Sequence, residues 1–303
     1  MSGAPRPLLS RRQLLQGGLG LAACVWTLRP NRAWAKESRV GPAPAGQPGV
    51  TRWALLSDTH IAADPEDHFR GFYPYRNLQE VIAQIACDSR DGLVIAGDLA
   101  RLKGKTEDYQ NLRTLLTPVA RRPIYLGLGN HDDRDGFFRM FGDACDDAGT
   151  LANKHVTVAQ AGPVRMVVLD TLLRVNGLSG RLGGSQRTWL ARILQACDDR
   201  PTILFLHHTP NGHLLDTRRL FDIIKPQGKI KAVVYGHSHR YEYSEIAGIH
   251  LINLPSTGYT IWSDAPVGWV DARLTARGGE FTLHALEGDR AMDGHTHTLL
   301  WRA

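Results

Sequence analysis

Five times along this chain a short apolar run stops at aspartate, asparagine or histidine. Trp53-Ala54-Leu55-Leu56 leads to Asp58-Thr59-His60, Leu93-Val94-Ile95-Ala96 to Gly97-Asp98, and Ile124 to Leu128 to Gly129-Asn130-His131-Asp132. Ile203 to Leu206 leads to His207-His208, and Ala232-Val233-Val234-Tyr235 to Gly236-His237-Ser238-His239. Such runs read as strands buried on both faces. In α/β sheets, sites assemble in the crevice beyond the strand carboxyl ends. Any fold for this chain must therefore accommodate five polar strand exits, and one crevice receiving them all does so most simply.

The segments between these runs have helical spacing. Leu78 to Ala86, Tyr109 to Leu116, Gln186 to Cys197 and Leu214 to Ile224 each place apolar residues three and four apart. Val156–Ala159 and Met166–Leu169 add two more strands. Beyond Tyr235 the rhythm changes: Tyr241–Ile246, His250–Leu254, Val267–Leu274 and Phe281–Ala285 read as consecutive strands. Strand–helix alternation followed by a β-rich stretch predicts an α/β fold of two packed sheets with helices outside.

Residue chemistry at the exits is that of metal ligands. Asp58 and His60 are two apart, as are His237 and His239, so on an extended segment each pair faces one way. Gly97, Gly129 and Gly236 each precede a candidate ligand, where a missing Cβ permits close backbone approach. Imidazole mixed with carboxylate suits Zn, Mn or Fe rather than Ca. Any one of these residues alone would read as a turn or a hydrogen-bonded structural residue. Their recurrence at five exits is what points to a site.

The order D-x-H, G-D, G-N-H-D, H, G-H-x-H resembles the calcineurin-like metallophosphoesterase superfamily over about residues 51–258. Leu178-Ser179-Gly180 through Gln186 to Trp189-Leu190, and Leu254-Pro255-Ser256-Thr257-Gly258, resemble it too. The resemblance implies a four-layer αββα sandwich of two mixed sheets, with a dinuclear metal site at the strand carboxyl ends. It implies that Asp58, His60 and His239 hold a first divalent metal, and Asn130, His207 and His237 a second. Asp98 would bridge them beside a shared hydroxide, His131 would act on the phosphate, and His208 would support the ligands from behind.

Departures from the pattern narrow the expectation. The protein phosphatases of that superfamily carry G-D-x-x-D-R-G and G-N-H-E, whereas this chain has Gly97-Asp98-Leu99-Ala100-Arg101-Leu102 and Gly129-Asn130-His131-Asp132. Purple acid phosphatases place a tyrosine where Arg101 stands. What remains looks most like the small bacterial phosphodiesterases acting on cyclic nucleotides or glycerophosphodiesters. A phosphomonoesterase or nucleotidase with the same centre is the alternative. Arg101 reads as a solvated loop arginine in preference to a phosphate contact. His68 to Tyr75 either walls the pocket or packs as a surface loop. Asp133 and Asp135 read as helix caps, and His295-Thr296-His297 as a surface tail.

The formal charge of +6 comes almost wholly from residues 1–35, which hold five arginines and no acid; beyond them 31 basic residues face 30 acidic ones. Nucleic acid is therefore not an expected partner. Ser10-Arg11-Arg12-Gln13-Leu14-Leu15, a weakly apolar run to Leu28, and Ala33-Trp34-Ala35 read as a twin-arginine (Tat) signal peptide cleaved before Lys36. The expectation is export to the periplasm by the Tat machinery. Leu21-Ala22-Ala23-Cys24 also fits a lipoprotein box, but the apolar run continues past it. Residues 36–50 read as a Pro/Gly-rich linker and 51–303 as the metallophosphoesterase domain, with no transmembrane run. Cys87 and Cys197 are expected as small buried thiols at helix ends; with Cys145 they allow one disulfide at most.

Overall fold

Alternation decides the layering of this protein. In the computed structural model, which describes residues 49–141, 151 and 153–303, strand β1 (Val50–Leu56) turns Trp53 and Leu55 one way, and Ala54 and Leu56 the other. Strand β2 (Gly92–Ile95) does the same with Val94 against Leu93 and Ile95. One face of this sheet packs on helices α1 (Pro74–Ala86), α2 (Thr106–Leu116) and α3 (Arg134–Phe141) through Leu78, Ile82, Leu112 and Phe137. The other face meets a second sheet.

That second sheet repeats the logic. Strand β6 (Thr202–Phe205) gives Ile203 and Phe205 to the space between the sheets and Leu204 to the outer side. Strand β7 (Ile230–Tyr235) gives Ala232 and Val234 inward and Val233 and Tyr235 outward. Helices α4 (Gly184–Ala196) and α5 (Thr217–Ile224) cover the outer face with Leu190, Leu194, Leu220 and Phe221. Three apolar clusters thus separate four layers, the αββα sandwich expected from the sequence.

The first sheet runs β12-β11-β10-β1-β2-β3 and the second β4-β5-β6-β7-β9-β8. Here β3 is Ile124–Leu126, β4 Thr157–Ala161, β5 Val164–Val168, β8 Glu242–Ile246, β9 Ile249–Asn253, β10 Pro266–Thr275, β11 Gly278–Gly288 and β12 Thr296–Leu300. β1, β2 and β3 are parallel, as are β5, β6, β7 and β9. Their carboxyl ends therefore lie together within each sheet, and the five polar exits follow β1, β2, β3, β6 and β7.

Several sequence expectations shift. β1 begins at Val50, inside the span read as linker. α1 starts at Pro74 rather than Leu78, because proline is preorganised for the first helical turn. α5 starts at Thr217, Leu214 to Asp216 forming a turn before it. Within the stretch read as a tail at His295–His297, Thr296 and His297 instead begin an edge strand paired with β11, and His297 stacks on Tyr243 with ring centroids 3.9 Å apart. Asp133 caps α3, accepting from the Gly136 N–H at 2.7 Å, whereas Asp135 lies in its first turn and is not the cap. Cys87 and Cys197 do end helices, but Cys87 is exposed and Cys197 half-buried, and they form no disulfide among the described residues. The leader, most of the linker and Cys145 lie outside the described residues. Among the described residues no helix is long and apolar enough to cross a membrane.

Candidate metal centre

The loops after β1, β2 and β7 share an unusual backbone. Asp58, His60, Asp98, His237 and His239 have φ of 53°, 47°, 49°, 73° and 54°. The expectation that Asp58 and His60, and likewise His237 and His239, lie on extended segments is corrected: each is in the left-handed region. A non-glycine residue held there costs on the order of 1–3 kcal/mol and persists only where its surroundings over-determine it. Here they do. The Asp58 N–H donates to the Gly97 carbonyl at 3.0 Å, His60 N–H to Asp98 carbonyl at 3.0 Å, and Gly258 N–H to Asp58 carbonyl at 3.0 Å. The Ser256 hydroxyl donates to the same Asp58 carbonyl at 2.9 Å.

Two glycines make the close approach possible. A Cβ on Gly129 would collide with Asp98 Oδ1, and one on Gly236 with Ser57 Oγ and Asp58 Oδ2. The expectation from their placement before ligands holds for a concrete reason: the carboxylates fill the space a side chain would need.

The side chains converge in three overlapping clusters. Asp58, His60 and His239 form one, His60, Asp98 and His131 a second, and Asp98, His207 and His237 a third; within each, the ligand atoms lie within 4.8 Å of one another. His60 Nε2 is 3.1 Å from His239 Nε2, which is 3.4 Å from Asp58 Oδ1. His207 Nε2 is 3.3 Å from Asp98 Oδ2. Asp58, His60, His207 and His208 are fully buried.

Their electrostatics suit the binding of a cation. Burial pushes the Asp58 and Asp98 carboxyls up, yet both end below the usual carboxylate range, Asp58 through His207 and His239 and Asp98 through His207, His60 and His131. Burial alone would lower His207, but Asp98 and Asp58 raise it to about 9. Burial, opposed by Asp98, takes His60 down to about 3, and burial with His207 takes His237 to about 3. Of the imidazoles around these two buried anions, His60 and His237 are thus held neutral. Among the described residues, Asn130 Oδ1 and His207 Nε2 are buried without a hydrogen-bond partner, an arrangement that is costly unless something else engages them. A set of imidazole nitrogens, carboxylates and an amide oxygen suits divalent transition metals.

These loops belong to a recognised sequence pattern. The family model for calcineurin-like phosphoesterases matches residues 51–241. The chain belongs to this family. Calcineurin-like phosphoesterases use a dinuclear metal centre, and the Asp and His groups gathered here could hold such ions. The chain is similar to a probable cyclic nucleotide phosphodiesterase of Rhodococcus erythropolis, 29% identical over 74% of this chain and 76% of the relative. It is similar to a glycerophosphodiester phosphodiesterase of Enterobacter lignolyticus, 24% identical over 69% and 78%. It is also similar to a 3',5'-cyclic adenosine monophosphate phosphodiesterase of Pseudomonas aeruginosa, 27% identical over 67% and 74%. A dimetal phosphatase of Danio rerio shares the fold, with a TM-score of 0.65 at 14% identity over 84% of this chain and all of that one. The protein is a phosphoester hydrolase.

Around these candidate ligands stand residues that the strand-exit pattern does not mark. Asp132 was visible only as the last letter of a motif. Its carboxylate accepts from the N–H groups of Leu99, Ala100 and Gly129 at 2.8–3.2 Å and from the Tyr109 hydroxyl at 3.2 Å, tying the β2 and β3 exits together. Tyr259 accepts from His239 Nδ1 at 2.7 Å, and its ring lies against His60 and His239. His213 places Nδ1 2.7 Å from His237 Nε2. Tyr259 and His213 stand several residues beyond the ends of β9 and β6, so neither carries the signal that marks the other candidate residues.

The remaining expectations divide. His208 lies beside two candidate ligands: its Nδ1 meets Thr171 Oγ1 at 2.8 Å and its ring lies against His207 and His237. Arg101 is not a solvated loop arginine; its Nε donates to Asp67 at 2.7 Å and it lies over the Phe69 and Tyr259 rings. The aromatic segment serves as a wall in part: Phe69 packs on Tyr259. Arg70 and Phe72 line a surface cavity of about 590 Å³ with Ile261 and Trp262.

Proposed function

We propose that this phosphoesterase hydrolyses small-molecule phosphodiesters, with Asp58, His60 and His239 holding a first divalent cation and Asn130, His207 and His237 a second. Asp98 would be shared between them, and the carrying observation is its place in two of the three overlapping clusters. When bound, such a pair lowers the pKa of a shared water and neutralises charge developing on phosphoryl oxygens. The chain's own part is to hold the acceptors rigid and to manage the leaving group. The His131 N–H donates to Asp98 Oδ1 at 2.8 Å, and its ring Nδ1 lies 3.1 Å from the Leu102 carbonyl. A carbonyl only accepts, so Nδ1 keeps one proton there; the acid form is the ring that carries a second proton on Nε2, which it would give to the departing oxygen, ending as the neutral Nδ1–H tautomer.

The substrate class draws support from the relatives, whose names give cyclic nucleotides and glycerophosphodiesters as their substrates, and from the absent D-R-G and tyrosine features. The deciding experiment compares a bis-aryl phosphate, the matching mono-aryl phosphate, cyclic AMP and glycerophosphocholine on enzyme reconstituted with Mn, Fe and Zn. Faster diester turnover is the expected result. Preference for the monoester across the metals would make the protein a phosphomonoesterase. The same reading extends to location: the Arg11-Arg12 pattern and Ala33-Trp34-Ala35 support export to the periplasm after folding.

A further inference from the structure

The candidate ligand histidines are anchored in two different ways. His207 Nδ1 lies 3.1 Å from the Ala96 carbonyl and His239 Nδ1 2.7 Å from the Tyr259 carbonyl. Because a carbonyl only accepts, each ring keeps a proton on Nδ1, which leaves Nε2, beside Asp98 in His207 and beside Asp58 in His239, as the nitrogen a cation would take. At His237 the anchor is another imidazole. His213 Nδ1 lies 2.7 Å from His237 Nε2, with the two rings edge-on, centroids 4.8 Å apart and planes at 86°.

His213 is itself held. It sits half-buried on the loop between β6 and α5. Its N–H donates to Thr209 Oγ1 at 3.3 Å and its carbonyl accepts from the Gly180 N–H at 2.9 Å. His237 belongs to the cluster with Asp98 and His207, whereas His213 belongs to none of the three. It touches a ligand without joining the ligands.

We propose that His213 is the positioning residue of the second cation site, a role that rests on the dinuclear reading above. Its Nδ1 accepts the Nε2–H of His237, which fixes the tautomer of that ring. The Nδ1 lone pair of His237 is then the one offered alongside Asn130 and His207. Outer partners of this kind hold ligand rings in orientation, and their loss typically weakens metal affinity by about 10–100-fold. A loop histidine resting on His237 by chance would change nothing.

The test is calorimetric titration of the metal-free, folded full chain with Mn²⁺, comparing wild type, His213→Ala and His213→Asn. The asparagine Oδ1 can stand where Nδ1 stands and accept the same proton. Wild type should show two binding steps. His213→Ala should weaken one of them by about 10–100-fold and leave the other and the thermal midpoint unchanged, and His213→Asn should restore most of the loss. Two wild-type steps retained in His213→Ala would overturn the role of His213 alone. So would equal weakening of both steps, or an asparagine variant as weak as alanine. A wild-type chain that takes up no second cation would overturn the dinuclear reading, and this proposal with it.

Discussion

The peptide nitrogen of His131 donates to Asp98 Oδ1 at 2.8 Å, so the residue assigned to protons and the carboxylate common to two clusters hang on one hydrogen bond. Asp98 Oδ2 is the oxygen 3.3 Å from His207 Nε2 and 3.9 Å from His60 Nε2. One carboxylate thus divides its two oxygens between scaffold and site.

That division separates two substitutions. Asp98→Asn keeps an oxygen for the His131 N–H but removes the charge, so metal content measured by plasma emission should fall below about two ions per chain while thermal stability holds. Asp98→Ala removes both, and should lose metal and also about 1.5–3 kcal/mol of stability, the usual worth of a hydrogen bond to a charged group. An alanine variant with full metal content would show that Asp98 is not shared.

Gly129→Ala should be far more damaging than its size suggests. The added Cβ would collide with Asp98 Oδ1, and relieving that overlap means moving either the carboxylate or the β3 exit. Overpacking of this kind costs about 1–3 kcal/mol, and activity should drop further because the displaced group is Asp98. Gly184→Ala, at the start of α4 with only an Arg187 side chain nearby, serves as its comparison. It should leave turnover unchanged and raise stability by about 0.4–1 kcal/mol. Equal behaviour of the two variants in denaturant melts and assays would remove the argument.

How much of this was legible beforehand follows from where the information sits. Asp58, Asp98, Asn130, His207 and His237 could be read because each directly follows an apolar strand, a pattern that survives in one dimension. The left-handed backbone of Asp58 could not, since it is held by hydrogen bonds with Gly97, Gly258 and Ser256 from other segments. Likewise β8 to β11 read as consecutive strands, but nothing local says that β8 and β9 join the second sheet while β10 returns to β1 in the first. His213 and Tyr259 reach the candidate ligands through contacts across loops, and Arg101 reads as solvated in the sequence because its partner Asp67 is 34 residues away. Edge strand β12 was missed because its alternation, T-H-T-L-L, looks like a tail until β11 supplies a partner.

Export gives a prediction independent of the site. Mass spectrometry of the protein isolated from its native cell should find an N-terminus near Lys36, after Ala33-Trp34-Ala35. Arg11→Lys with Arg12→Lys should retain the precursor in the cytoplasm. A chain beginning at a lipid-modified Cys24 would favour the lipoprotein box, and an intact Met1 would exclude both.

His131 offers the sharpest chemical test, because its assigned task depends on the leaving group and a merely structural task does not. Its ring is tethered at Nδ1 by Leu102 and its side chain is 19% exposed, with Nε2 3.9 Å from Asp98 Oδ2. If Nε2 delivers a proton to the departing oxygen, His131→Ala should keep metal content and fold while losing roughly 10²–10⁴ in rate on alkyl esters. A sugar or glycerol alkoxide is a strong base and cannot leave without that proton. A nitrophenolate is stable unprotonated, so the same variant should be damaged much less on activated aryl esters. The measurement is kcat for glycerophosphocholine and for bis-nitrophenyl phosphate, wild type against variant, on enzyme of equal metal content. Equal losses on both substrates would mean that His131 stabilises charge on the phosphoryl group instead. A variant that loses metal would mean that His131 belongs among the ligands, as its place in the cluster with His60 and Asp98 would then be read.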